Sequence, residues 1–153
     1  MSDARRKPSA ELAGYSGKPL WQKLGLKARM RVQLLHAPAE YWDWCDFDVA
    51  GVDIVAARAR NVEFAHVFAS SRDALERDLQ KVVPALASAG MLWISWPKKS
   101  ARIETDITEG TLREVALPLG LVDVKVCAVT EVWSGLKFVW RVERRAAIAR
   151  KSS

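Results

Sequence analysis

Residues 90–100 read "GMLWISWPKKS". Met91 to Trp96 form a short apolar run between a glycine and a proline, the pattern of a strand covered on both faces. Gly90 is expected just past the end of a preceding helix, and Pro97 closes the strand. Trp93 and Trp96 lie three positions apart, so in a strand they point to opposite faces. Upstream, residues 71–89 change period: Leu75, Leu79, Val82, Val83 and Leu86 recur at helical spacing. Ser70 with Asp73 reads as a capping pair at the start of that helix. Pro84 cannot donate a backbone bond and is expected to loosen its end.

The same reading extends in both directions. Downstream, 100–108 is a polar loop, Thr108 an N-cap, Glu109 to Leu119 a helix and Gly120 its end. Residues 121–129, "LVDVKVCAV", alternate and are rich in valine, as strands are. Ser134-Gly135 reads as a hairpin turn returning a last strand, 136–142, antiparallel to its neighbour. Upstream, Pro19 opens a short helix that carries Leu20, Trp21 and Leu24 on one face and ends at Gly25. Residues 30–38 are the first strand, 39–44 a helical turn or two, and 52–58 and 62–70 the second and third strands. Strands alternating with helices predict an α/β protein with an open, mostly parallel sheet, helices on both faces and an antiparallel C-terminal edge hairpin.

The length of 153 residues fits one domain, placed at 17–143, between a flexible tail at 1–16 and a basic tail at 144–153. The net charge of +6 invites a nucleic-acid reading. Much of the excess sits in Arg5, Arg6 and Lys7 and in Arg141, Arg144, Arg145, Arg150 and Lys151, which favours solvated ends over a binding surface. The two cysteines, Cys45 and Cys127, form no metal or redox motif and read as small buried residues of a reduced compartment. No apolar run is long enough to span a bilayer, and residues 1–17 hold no signal-like stretch, so a cytoplasmic location is expected.

Several longer phrases carry a resemblance. They are "GYSGKPLWQKLGLK" (14–27), "HAPAEY" (36–41), "GMLWISWPKKS" (90–100), "TDITEGTLREVALPLGLVDVKVCAV" (105–129) and "WSGLKFV" (133–139). With them the chain resembles an uncharacterised family of short bacterial proteins, a domain of unknown function with a class I methyltransferase-like Rossmann fold. The resemblance covers most of the chain and implies a truncated methyltransferase-like fold without a settled activity.

The cofactor chemistry of that superfold asks for a glycine-rich turn after the first strand, where backbone approaches ligand. The turn is His36-Ala37-Pro38-Ala39, with no glycine and one donor fewer at Pro38. An acid at the end of the second strand normally holds the cofactor's ribose. Ala56-Ala57-Arg58 stand at that end, and Arg58 and Arg60 offer no acceptor. These departures argue against S-adenosylmethionine and predict no cofactor.

Ligands of open α/β sheets sit beyond the carboxyl ends of the strands. That edge is assigned His36, Pro38, Tyr41, Trp96, Lys98, Lys99, Trp133 and Ser134 as a candidate ligand rim, aromatics for a flat ligand and lysines for an anion. Each has a plainer reading. Trp93 is core, Trp96 an indole capping the sheet, the lysines solvated, and Trp133 the anchor of a turn. A lone histidine is more often hydrogen-bonded structure than catalyst, and His66, inside a strand, more so than His36. No catalytic residue and no metal ligand set is assigned. The leading expectation is a non-catalytic methyltransferase-like domain binding a small ligand or a protein partner at the rim. The alternatives are a divergent S-adenosylmethionine-dependent methyltransferase and a nucleic-acid-binding accessory protein using its basic ends. No membrane partner is expected.

Overall fold

The computed structural model describes residues 17–152, without the side chain of Ser152; the segment 1–16 read as a tail lies outside them. Six strands form one sheet in the order β2-β1-β3-β4-β6-β5. They are β1 (Arg31–Leu35), β2 (Asp53–Ile54), β3 (Val62–Phe68), β4 (Leu86–Pro97), β5 (Leu121–Ala128) and β6 (Trp133–Trp140). The helices are α1 (Leu20–Leu24), α2 (Tyr41–Cys45), α3 (Arg72–Val82), α4 (Glu109–Ala116) and α5 (Val142–Ser152). β2, β1, β3 and β4 pair in parallel, and β6 runs antiparallel to both β4 and β5. Only residues 129–132 join β5 to β6, so β6 must return beside β5. It does so between β4 and β5, which leaves β5 at the edge and parallel to the first four strands.

Alternation along the central strands divides the core into two layers. Ala65, Val67, Leu92, Ile94, Trp96, Leu136 and Phe138 meet Leu75 and Leu79 of α3 and Leu112 and Ala116 of α4. Val32, Phe64, Phe68, Trp93 and Cys127 meet Leu24, Leu26, Tyr41 and Cys45 on the α1/α2 side. β3 has six of its seven residues buried, as a strand with helices on both faces should. Thr108 caps α4 reciprocally with Thr111, the hydroxyl-based form of a capping box. The cap of α3 is Ser71, whose Oγ accepts from Ala74 N, one residue beyond the expected Ser70.

Five elements differ from the sequence expectation. The helix over 71–89 stops at Val82; Pro84 sits in a 3₁₀ turn and Leu86 already pairs with Val62. Gly90 is therefore inside β4, not after a helix. β4 takes a detour there, because Val62 pairs with Leu86 while Phe64 pairs with Met91. The Gly90 backbone passes so close that a Cβ would lie 2.7 Å from the Val62 carbonyl oxygen. The second strand shrinks from 52–58 to Asp53–Ile54, and its pairing with β1 ends where Val55 N donates to the Val32 carbonyl.

Ser134-Gly135 is no turn: both residues pair within β6. The turn lies before them, where Thr130 Oγ1 accepts from Val132 N and Trp133 N. Gly135 instead makes room for a ring, since a Cβ there would lie 3.2 Å from Trp93 Cε3. Of the residues read as a basic C-terminal tail, 144–152 are helical as part of α5, whose Ile148 packs against the α3/α4 core and whose Arg144 guanidinium lies over the Trp140 ring, 5.8 Å from its centre.

The Gly90 contact predicts its own test. Gly90→Ala should destabilise the fold by about 1–3 kcal/mol, the usual effect of forcing extra atoms into a packed site. Urea unfolding would read this as a lower midpoint with an unchanged slope, and an unchanged midpoint would refute the close passage.

Candidate functional site

The sheet order reverses direction between β1 and β3. From β1 the chain crosses to β2 through α2 on one face, and from β3 to β4 through α3 on the other. The crevice beyond the carboxyl ends of β1 and β3 is thus the switch point where this sheet type receives ligands. His36 stands there with φ 59°, a left-handed conformation uncommon outside glycine. Its Nε2 is 3.1 Å from Oδ2 of Asp78 on α3. Across the crevice lie Ala69, Ser70 and Ser71, with the Ser70 carbonyl accepting from Thr105 Oγ1.

At the adjoining end of β2, Gln33 Nε2 reaches the carbonyls of Ala56 and Ala57, 3.3 Å from each. Its other amide atom, Oε1, is buried without a hydrogen-bond partner. As it stands that oxygen faces no solvent, so a ligand hydroxyl meets it only if the Ala56–Ala57 segment shifts.

The expected rim is divided by the sheet. Pro97 pairs with Trp133, and Lys98 N donates to the Val132 carbonyl, so Lys98 and Trp133 stand together. Trp133 meets Phe68 edge-on at 5.1 Å, on the α1/α2 face. Trp96 pairs with Ser134, but the residue is only 8% exposed and packs in the opposite layer, under α3 and α4. Lys99 opens a 3₁₀ turn and is exposed. Pro38 contributes its carbonyl to Tyr41 N at the start of α2. β3 separates β1 from β4, so His36 and Pro38 stand apart from the Lys98–Trp133 group.

Tyr41 faces inward. Its hydroxyl lies 2.8 Å from His66 Nδ1, and His66 Nε2 lies 2.7 Å from Ser95 Oγ. Phe68 stacks on the imidazole with ring centres 4.5 Å apart. Tyr41, His66 and Ser95 are all buried, so the row satisfies polar groups inside the α1/α2 layer and presents no atom to a substrate. Burial pushes the His66 pKa down to about 3, keeping the ring neutral between two hydroxyls. Burial likewise raises Tyr41 well above its usual range and pushes the Cys45 thiol beside it up to about 12. The network escaped the sequence reading, although Phe64, His66 and Phe68 share one parity and place the imidazole beside Trp93 and Ser95.

No protein-family model matches the sequence, and no curated protein sequence does either. Solved structures share the fold. DhpI in complex with SAH is 12% identical, with 81% of this chain and 83% of that chain covered, at a TM-score of 0.55. A type 11 methyltransferase-like protein from Sulfolobus solfataricus is 14% identical, with 80% and 90% covered, also at 0.55. A LepI variant in complex with SAH and a substrate analogue is 13% identical, with 87% of this chain covered, at 0.50. The chain spans only 42% of that LepI chain.

These likenesses establish a truncated, class I methyltransferase-like Rossmann fold. They also overturn the expectation set against S-adenosylmethionine, since DhpI and LepI carry SAH in this fold. The expectation had tied the turn after the first strand to glycine, whereas His36 adopts the left-handed conformation itself. Among the described residues, no helix is long and apolar enough to cross a membrane.

The buried imidazole predicts a pH effect of definite sign. The unfolded chain takes up a proton at His66 below about pH 6.5, and the folded chain only near 3. The stability held by the neutral ring is therefore complete above the unfolded value and falls as the pH drops from 6.5 toward 3. Between pH 7.5 and 4.5 the loss should reach about 2–3 kcal/mol by urea unfolding. His66→Gln should lose that component, and identical pH profiles for the two proteins would rule the assignment out.

Proposed function

We propose that the chain is a divergent S-adenosylmethionine-dependent methyltransferase that takes its cofactor at the β1/β3 switch point. The observation that carries this reading is the left-handed turn at His36, at the carboxyl end of the first strand of a methyltransferase-like sheet. The backbone thus bends where a cofactor-binding turn bends, with a histidine in place of glycine.

The groups around the crevice suit a nucleoside-bearing ligand. Gln33 Oε1, a buried acceptor without a partner beside the end of β2, would accept a ribose hydroxyl in the role that an acid holds in the superfold once a shift of the Ala56–Ala57 segment uncovers it. Ser70 is exposed at the end of β3 and offers a hydroxyl from the opposite wall. The Asp78 carboxylate on α3 stands beside the His36 ring at the same edge. When bound, the cofactor would supply an electrophilic methyl group; the chain's own part is to bind and orient the two reactants. The small ligand expected at the sheet's carboxyl edge becomes the methyl acceptor, and its identity is the subject of a substrate screen.

Calorimetric titration of the full chain tests the reading. S-adenosylmethionine and S-adenosylhomocysteine should bind saturably, one per chain. Gln33→Leu should weaken both about tenfold, the effect of one lost hydrogen bond of roughly 1.4 kcal/mol. Ser70→Trp should abolish binding while the unfolding midpoint stays near that of the parent. Failure of both ligands to bind at millimolar concentration would remove the proposal.

A further inference from the structure

The charge excess has an uneven distribution that the switch point does not use. Lys137 of β6 is the register partner of Trp93 on one side and of Lys125 on the other. Laterally paired residues share a face, so both lysines stand on the α1 side, where Trp93 donates from Nε1 to the Leu24 carbonyl. Like charges directly opposite each other on antiparallel strands are destabilising unless something else compensates. Lys125 Nζ donates to the Lys23 carbonyl, which sets a third lysine beside them.

Two further groups report the same clustering. Lys137 is held below its ordinary range by burial and then by the charges of Lys125 and Lys27. Cys127, raised by burial, is opposed by the charges of Lys23, Lys125 and Lys98. Five lysines thus surround the outer half of this sheet face. Among the described residues none of the five takes part in a salt bridge. Lys98 stands beside the Trp133 end of β6, where its backbone N meets the Val132 carbonyl. From Trp133 to Lys137 is four residues of strand, about 13 Å. A row of that length exceeds a single phosphate group and suits an extended polyanion, and the half-buried Trp133 at its end offers an indole for stacking.

We propose that the lysine-lined face of β5 and β6 binds the phosphodiester backbone of a single-stranded nucleic acid. The surface is separate from the switch point, and it stands whether or not the chain binds S-adenosylmethionine.

Fluorescence anisotropy of a short labelled oligothymidylate, followed across salt concentration, tests it on the full chain. The parent protein should bind with a negative dependence of log affinity on log salt. Lys27→Ser with Lys125→Ser, both at exposed positions, should weaken binding and lower the magnitude of the slope by about 1.4, or 0.7 for each lost phosphate contact. Lys27→Arg with Lys125→Arg should keep the slope, which separates loss of charge from loss of fold. Arg77→Ser with Lys81→Ser, on α3 in the opposite layer, should leave it unchanged. No binding by the parent, an equal slope in the serine pair, or binding only to phosphatidylserine vesicles would each overturn the proposal.

Discussion

The indole of Trp93 joins the parts of this molecule. It stands on β4, the strand at which a parallel sheet meets an antiparallel one, and is fully buried. Its Nε1 donates to the Leu24 carbonyl, 2.8 Å away, at the last residue of α1. That bond satisfies both a buried indole N–H and one of the carbonyls a helix end leaves unpaired. A five-residue helix has little stability of its own, so its position depends on such contacts. The ring fits only because Gly135 offers no Cβ from the neighbouring strand. One side chain thereby fixes the α1 cover, the β4–β6 register and the place of Lys137 beside it.

The layer under α1 and α2 shows how a polar row survives inside an apolar core. Tyr41, His66 and Ser95 use one neutral imidazole to link two hydroxyls. Removing any one of them would leave a buried partner unmet, which is more costly than the bond is stabilising. The row therefore specifies how α2 sits on β3 and β4. Its chemistry is that of a structural link, because burial holds the thiol, phenol and imidazole in their neutral forms.

The fold was legible where the periodicity was unambiguous. β3 and β5 are rich in residues favoured in strands, and the glycine after α4 adopts φ 99°, as a helix terminator does. Residues 82–90 were not legible, because Val82, Val83 and Leu86 satisfy the spacing of a helix and the burial of a strand alike. The long-range pairing of Leu86 with Val62 decided between them. Ser134-Gly135 carries a turn signature, but the Thr130 hydroxyl closes the chain four residues earlier. The rim was legible as an edge and not as a surface. Which wall each side chain joins depends on register: Trp96 turned under α3 and α4, and Tyr41 turned into the core because of the helical phase of α2.

The two faces of the sheet treat charge in different ways. On the α3/α4 side, Arg72 bridges Glu76 and Glu114, and Arg113 bridges Glu109 and Asp123. Guanidinium groups suit that work, since their planar donors can meet two carboxylates at once. On the α1 side, lysines stand against lysines, and the backbone carbonyl of Lys23 is the acceptor that Lys125 finds. A chain selected only for stability would disperse these charges or set an acid among them. Exposed ion pairs contribute little, so the paired face gains modestly from its order. The unpaired face has no such return within the described residues. Its repulsion is relieved when an anion lies on it.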